Sequence, residues 1–316
     1  MTARSVLITG ASGYVGRKLV RALASSPGGL RTIVATDVRP DSEKLAGVTY
    51  KQLDVRSSQL GELLATYEVD TVVHMATIVT PGKHMSREMQ YQVDVLGTEN
   101  VLRACVDEGV KKVIVTSSGA AYGYHADNPA SLDEDSRLRG NESFAYSHHK
   151  RLVEEMLAEY RVKHPSLAQL IFRPGTILGA GASNQITAIF EKPVIVGLRE
   201  SATPFVFILD DDVVACLIRG IQGDATGIYN LAGDGVMTLR DIAGVLHKRF
   251  VPLPSSGLRL AITGLSRIGA TQYGPEQVAF LAYRPVLANA RLKDVFGYTP
   301  KTSREAFDVW RHARPG

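Results

Sequence analysis

The pentapeptide Tyr146-Ser147-His148-His149-Lys150 places a phenol and an ammonium four residues apart. On a helix that spacing stacks Tyr146 and Lys150 on one face, one turn apart. A phenol ionises near pH ~10, too high for a base at neutral pH. A neighbouring ammonium favours the phenolate and lowers that value. Tyr146 could then take a proton from a substrate hydroxyl while a hydride leaves the same carbon. The spacing fits an ordinary surface pair equally well. A second source of hydroxyls is Thr116-Ser117-Ser118-Gly119-Ala120-Ala121-Tyr122-Gly123, which follows an apolar run. Ser118 could hydrogen-bond the reacting oxygen and orient it toward Tyr146. A Ser-Ser turn that satisfies a strand's last backbone groups reads the same way.

Such chemistry needs a hydride acceptor, and the start of the chain offers a place for one. In Val6-Leu7-Ile8-Thr9-Gly10-Ala11-Ser12-Gly13-Tyr14-Val15-Gly16 an apolar run too short for a helix meets three glycines, and helical spacing then runs from Tyr14 to Leu23. That order is strand, tight turn, helix. Gly10 and Gly13 let the backbone turn sharply and approach a pyrophosphate; Gly16 lets the helix pack close to the strand. The helix N-terminus offers free N–H groups to the anion. A plain Gly-rich turn shares the pattern, but a second β-rich run, Thr32 to Thr36, ends at Asp37. An acid at that distance accepts hydrogen bonds from the adenosine ribose hydroxyls. The whole stretch reads as a dinucleotide site, and an oxidised nicotinamide would add a second positive charge beside Tyr146.

The elements that must position these groups alternate along the chain. After a polar turn at Arg39-Pro40-Asp41 come a strand at Val48–Leu53, a short helix at Gln59–Tyr67 and a buried strand at Thr71–Ala76. The pattern then predicts one long helix from Ser86 to Glu108, closed by Gly109, and a strand at Lys112–Thr116. A polar loop from Gly123 to Ser143 leads to a helix over Phe144–Lys163, and a sixth strand covers Leu167–Phe172. Alternation of this kind predicts an α/β chain: a Rossmann-type doubly wound parallel sheet with ligands at the carboxyl ends of its strands. Residues 1–175 read as the dinucleotide-binding domain, with a return to the sheet near 205–233 at Ile228–Leu231. Residues 176–316 read mainly as a smaller, mixed substrate-binding region. Asp210-Asp211-Asp212 suit a helix N-terminus. A metal triad there is not expected, because consecutive helical residues point apart. Thr238-Leu239-Arg240-Asp241 and Thr302-Ser303-Arg304-Glu305 read as capping boxes.

Composition removes other classes. A chain of 316 residues with 45% hydrophobic and 22% charged residues is an ordinary globular sequence. Its net charge of +4 is small, with no basic stripe interleaved with aromatics, so nucleic acid is not an expected partner. The two cysteines, Cys105 and Cys216, each lie in an apolar helical pattern and read as buried thiols in a reducing compartment. Met1-Thr2-Ala3-Arg4-Ser5 runs directly into the first strand, and no apolar run approaches the ~20 residues that span a bilayer. A cytoplasmic protein with no membrane partner is expected.

Thr9-Gly10-x-x-Gly13-x-x-Gly16, His74-Met75-Ala76, Ser117-Ser118 with Tyr122-Gly123, Tyr146-x-x-x-Lys150 and Arg173-Pro174-Gly175 stand in an order that is similar to a known family. The chain resembles the extended short-chain dehydrogenases/reductases of the NAD-dependent epimerase/dehydratase type, which UDP-galactose 4-epimerase typifies. The resemblance is close over the first ~175 residues and looser through Asp211-Asp212-Val213 and Phe296-Gly297-Tyr298-Thr299-Pro300. It implies NAD as cofactor and Ser118, Tyr146 and Lys150 as a catalytic triad. Lys150 would also bind the nicotinamide ribose. The glycine turn, with Tyr14 and Val15, would hold the pyrophosphate, and Asp54 and Val55 would contact adenine. His74 to Ala76, with Thr77 and Thr116, would line the cleft; Arg173, Pro174 and Gly175 would border the nicotinamide. His148 and His149 read as spacers within the motif. Two positions depart from the resembled pattern: Asp94 stands where Asn is usual, and Leu209 where a His commonly precedes the acidic pair.

The residues after Ser118 narrow the reaction. Related dehydratases carry Asp-Glu there and decarboxylases a Glu, whereas this chain has Gly119 and Ala120, which transfer no proton. Simple hydride chemistry remains: oxidation, reduction, or oxidation followed by reduction from the other face. The resemblance favours a nucleotide-sugar epimerase. The alternative is an alcohol dehydrogenase or ketoreductase of 3β-hydroxysteroid dehydrogenase-like type, since Ala76-Thr77-Ile78-Val79-Thr80-Pro81 is rather apolar. An NAD-binding sensor without turnover is a third reading, which the intact Tyr146 and Lys150 oppose. For a substrate diphosphate only Arg199 and Arg267 suggest themselves. Asp37 would repel a 2′-phosphate, so NAD is expected over NADP, with Arg17 and Arg39 close by. Relatives pair long helices into four-helix dimer interfaces, and Val95, Leu102 and Val106 with Leu152 and Met156 would supply that surface here. Burial within their own subunit explains the same residues.

Overall fold

Apolar side chains of the first strand divide between two cores. In β1 (Ser5–Thr9) Val6 and Ile8 face one core and Leu7 the other, and all three are fully buried. A strand covered on both faces needs helices on both, which the chain supplies in alternation. In order follow α1 (Tyr14–Ser25), β2 (Thr32–Asp37), β3 (Thr49–Gln52), α2 (Gln59–Thr66), β4 (Thr71–His74), α3 (Arg87–Tyr91), α4 (Gly97–Asp107), β5 (Lys112–Thr116), α5 (Ala145–Lys163) and β6 (Ala168–Pro174). Beyond these lie β7 (Thr176–Leu178), α6 (Gln185–Phe190), β8 (Val194–Leu198), β9 (Pro204–Phe205), β10 (Phe207–Leu209), α7 (Asp210–Gln222) and β11 (Gly227–Leu231). A computed structural model of the chain describes residues 3–40, 43–82, 85–267, 274 and 277–314. Met1, Thr2, Asp41 and the side chain of Arg267, named above, lie outside them.

Seven strands form one parallel sheet in the order β11-β6-β5-β4-β1-β2-β3. The chain winds outward from β1 through β2 to β3, then restarts at β4 and winds the other way. A crevice therefore opens where the order reverses, at the carboxyl ends of β1 and β4, and this is where such sheets hold ligands. Leu19, Leu23, Val213 and Leu217 of α1 and α7 cover one face. Leu60, Leu64, Val101, Leu102, Val153 and Leu157 of α2, α4 and α5 cover the other.

The long helix expected over Ser86–Glu108 is not continuous. Ser86 caps α3 by accepting from the Met89 N–H at 3.1 Å, and a π-helical segment, Gln92–Leu96, separates α3 from α4. That wider turn carries Asp94 inward to a buried position. Just after it Gly97 lies against Val55, whose Cγ2 would stand 2.7 Å from any Cβ added there.

The later elements form a second, smaller core. Phe190 of α6 meets Phe205, Phe207, Phe307 and Trp310 edge-on, with centroids 5.5 to 6.0 Å apart. The last two sit on a helix over Ser303–His312, opened by the expected capping box of Thr302 and Glu305. Thr238 and Asp241 form the other. At the start of α7, Asp210 accepts from the Tyr14 hydroxyl and pairs with Lys18 at 2.6 Å, while Asp212 accepts from the Tyr298 hydroxyl at 2.7 Å. Asp211 also pairs with Lys18, at 2.7 Å, so Asp210 and Asp211 tie α7 to α1 while Asp212 turns away to Tyr298. Among the described residues no helix is long and apolar enough to cross a membrane.

Phe190→Ala should empty the middle of this aromatic cluster and cost about 3–5 kcal/mol. Urea denaturation of the full chain measures it; a loss below about 1 kcal/mol would mean that the cluster does not hold the smaller core together.

Candidate active site

The glycine turn is built by contact rather than by composition. Gly10 has φ +70°, and a Cβ there would lie 2.7 Å from the Ala76 nitrogen, so only glycine lets β1 and β4 end side by side. The Gly13 N–H donates to the Gly10 carbonyl at 3.0 Å, and α1 starts at the next residue. No side chain caps that helix and no acid lies in its first turn, so its N–H groups and positive dipole end are left for an anion. Asp37 ends β2, with its carboxylate accepting from the Ser12 N–H at 3.0 Å and the Arg39 N–H at 3.0 Å.

From this turn a cleft of 390 Å³ runs along the strand ends. Gly10, Gly13, Tyr14, Val15 and Gly16 line its near end; Met75, Thr77, Thr116, Pro174 and Gly175 line its middle. Ser118 and Tyr146 face it from beyond. The Thr116 hydroxyl is buried with no hydrogen-bond partner among the described residues, which leaves it for a ligand. Uncapped helix, close glycine turn and orphaned hydroxyl together fit a dinucleotide lying along the strand ends.

Tyr146 reaches the cleft because α5 docks on the turn after β5. Ser118 caps a short 3₁₀ turn, Gly119–Tyr122, by accepting from the Ala120 N–H at 3.1 Å. Ser147 donates to the Ala120 carbonyl at 2.7 Å and accepts from the Asn141 N–H at 3.0 Å, which pins the first turn of α5. The Lys150 ammonium donates to the Thr116 carbonyl at 3.0 Å and lies 5.7 Å from the centre of the Tyr146 ring. Burial pushes the Tyr146 phenol well above its ordinary value, against a lowering hydrogen bond with Ser118. The lowering expected from the neighbouring Lys150 ammonium is not among the causes that act on this phenol in the protein alone. Burial pulls the Lys150 ammonium down, against the charges of Asp94 and Glu154.

Comparison with known proteins meets this geometry. The profile of the NAD dependent epimerase/dehydratase family matches residues 6–232, which spans the sheet, the glycine turn and α5. The chain belongs to that family. It is an NAD-dependent enzyme of the epimerase/dehydratase kind. An uncharacterised Mycobacterium tuberculosis protein, Rv0501, is 25% identical over 315 residues, covering 98% of this chain and 84% of its own. A UDP-glucose 4-epimerase of Yersinia enterocolitica is 28% identical over 194 residues, 58% of this chain and 56% of its own. Among solved structures, the Thermotoga maritima UDP-glucose 4-epimerase with UDP-glucose superposes with a TM-score of 0.76 at 16% identity, over 98% of both chains. MoeE5 with UDP-glucuronic acid and NAD gives 0.74 at 21% identity, also over 98% of both.

Within this family member several residues named from sequence fall outside the cleft wall. The Arg173 guanidinium turns to Glu154, at 2.5 Å, and to the Tyr122 hydroxyl, at 2.8 Å. Its neighbours Pro174 and Gly175 border the cleft instead. Asp54 is tied to Arg56 at 2.6 Å beyond the end of β3, and Val55 packs in the core. Thr98 donates to the Asp94 carbonyl, so the neutral His74 ring gives its Nε2–H to Thr98 at 2.9 Å and accepts from Thr9 at Nδ1, 2.8 Å away. Arg199 lies on the surface. Sequence reasoning missed Arg284, which lines the cleft between the rings of Phe205 and Phe280, 4.2 and 4.7 Å from their centres, and donates to Thr176 at 3.1 Å. Burial pulls it down to about 10. It also missed His149, which is buried and 3.1 Å from Asp94 rather than a spacer. No spacing rule flags either; the Asp at 94 was the available signal.

Two measurements follow from this geometry. Burial holds the His74 imidazole down to about 3, from an ordinary 6.5. A folded value below the unfolded one means full stability above pH ~6.5 and loss as pH falls toward 3, by up to about 1.4 kcal/mol per pH unit. His74→Gln should flatten that stretch of the stability–pH curve; an unchanged slope would place the proton uptake elsewhere. The second concerns Asp37: NAD should bind more tightly than NADP, and Asp37→Ser should weaken NAD by roughly tenfold or more while narrowing the preference. Tighter NADP binding in the unaltered protein would contradict this role.

Proposed function

We propose that the protein moves a hydride between NAD and a hydroxyl-bearing carbon, with Tyr146 transferring the proton. The observation that carries this reading is that Tyr146 and Ser118 line the cleft that starts at the glycine turn, with the Lys150 ammonium buried behind them 5.7 Å from the centre of the Tyr146 ring. Bound NAD supplies the hydride acceptor and a positive charge beside the phenol. Ser118 hydrogen-bonds the substrate oxygen and holds it toward Tyr146. Tyr146 takes the hydroxyl proton as the carbonyl forms, and returns it in the reverse step. Lys150 favours the phenolate and steadies the ribose. Residues 1–175, with β11, serve the cofactor, and residues 176–316 mainly serve the substrate. Relatives with bound nucleotide sugars support epimerase-type chemistry, in which the hydride returns to the opposite face of the same carbon. The half-buried Arg284 supports an anionic substrate group near the cleft. The aromatic wall of Tyr124, Phe144 and Phe280 supports a second reading, a dehydrogenase or ketoreductase acting on a less polar substrate.

We also propose a cytoplasmic homodimer formed through α3, α4 and α5. Val95 and Leu102, named above for the interface, pack inside their own subunit. Val106, Leu152 and Met156 are half-buried, and Met89 and Leu96 are exposed, so the surface would shift toward the outer turns. Light scattering should give twice the chain mass at micromolar concentration; a monomer removes the proposal.

Tyr146→Phe keeps the ring and deletes the ionisable oxygen. Turnover should fall by roughly 10²-fold or more with NAD binding retained. Ser118→Ala should slow the reaction less, and Lys150→Met should also weaken NAD. An assay over UDP-sugars and simple alcohols separates the readings: an epimerase retains its cofactor, whereas a dehydrogenase releases reduced cofactor in step with substrate. Near-normal turnover in Tyr146→Phe would refute the mechanism.

A further inference from the structure

We infer that Asp94 and His149 are positioning residues: a buried carboxylate–imidazole link that fixes the helix bearing Tyr146 and Lys150 against the loop at Thr77–Ile78. The inference rests on the hydride-transfer reading of the cleft, which Thr77 lines and Tyr146 faces.

Asp94 is 3% exposed and His149 1%. One carboxylate oxygen accepts from the Thr77 hydroxyl at 2.9 Å and the Ile78 N–H at 2.8 Å. The other faces His149 Nδ1 at 3.1 Å. A carboxylate has no proton to give, so His149 must present Nδ1–H to it. An amide at this position could still accept from Thr77 and Ile78 through its oxygen, but it would turn an NH₂ toward the ring and demand the other tautomer. Asp at 94 and Nδ1–H at 149 are therefore linked choices. The link joins three parts of the site. Asp94 sits on the π-helical segment, Thr77 and Ile78 follow β4, and His149 immediately precedes Lys150 in α5. The groups facing the imidazole are Asp94, the Tyr91 ring edge-on at 5.7 Å and the His148 ring at 6.1 Å. Breaking the link strands a buried carboxylate and frees α5 to shift against the cleft wall. A misplacement of about 1 Å at a reacting group costs on the order of 10²-fold in rate.

The test uses the full chain with Asp94→Asn, Asp94→Ala, His149→Phe and the Asp94→Ala/His149→Phe double variant. Nitrogen NMR of the unaltered protein should report His149 protonated at Nδ1, and Asp94→Asn should move that proton to Nε2. Asp94→Asn keeps the link, so kcat should stay within about threefold, whereas Asp94→Ala and His149→Phe should each lose roughly tenfold or more without matching loss of NAD affinity. The double variant should lose no more than either single one. A merely structural pair would lower Tm and leave kcat in place. An Nε2–H ring in the unaltered protein, an unchanged kcat in Asp94→Ala, or additive losses would each overturn the inference. If instead the hydride-transfer reading is wrong, the unaltered protein shows no nicotinamide turnover, and the His149 tautomer, with slow exchange of the Ile78 amide that Asp94→Ala should speed, decides the link alone.

Discussion

One buried carboxylate, Glu154, holds α5, the helix that carries Tyr146 and Lys150, to the sheet. It accepts from the Ser117 hydroxyl at 2.5 Å, at the end of β5, and from the Arg173 guanidinium on β6. Both charges are nearly inaccessible to water, so removing either partner would leave the other unpaired at a cost of about 3–5 kcal/mol. Tyr146, Lys150 and Glu154 stand four residues apart on one stripe of α5. Once Glu154 is seated, the stripe runs from the sheet to the cleft. Lys150 meets the Thr116 carbonyl one turn nearer the mouth, and Tyr146 reaches the opening one turn beyond that.

The same burial sets the electrostatics. Burial raises the Tyr146 phenol well above its ordinary value in the protein alone. A site that excludes water also strengthens any charge brought into it. In the proposed mechanism a positive nicotinamide beside the phenol would oppose that rise. Ser118 and Lys150 are placed by backbone contacts of their own, the 3₁₀ turn after β5 and the Thr116 carbonyl, so neither depends on substrate for its position.

Much of this was legible in the sequence because the pattern there is local. Two-sided burial shows as unbroken apolar strands, the glycine turn as glycines at the one place where β1 and β4 converge, and the Tyr–Lys stripe as a spacing of four. What stayed hidden depends on side-chain direction. Arg173 reads as a cleft residue by its place beside Pro174, yet its long side chain has a carboxylate to meet on the other side. The helix over Ser86–Glu108 reads as continuous, since a π turn leaves no mark in apolar periodicity. His149 lies off the Tyr146 face of α5, and its role exists only through Asp94, distant in sequence. Arg284 belongs to a region whose pattern is irregular, and only folding sets it between two rings.

Proton transfer in the proposed mechanism depends on the ionisation of one phenol, Tyr146. Ultraviolet difference spectra of the unaltered protein, with Tyr146→Phe as the blank, follow tyrosinate formation with pH. The signal should rise at distinctly lower pH with oxidised NAD bound than with reduced NAD bound, because only the former brings a positive charge to Tyr146. Curves that coincide for the two cofactor states, once the Tyr146→Phe blank is subtracted, would contradict it.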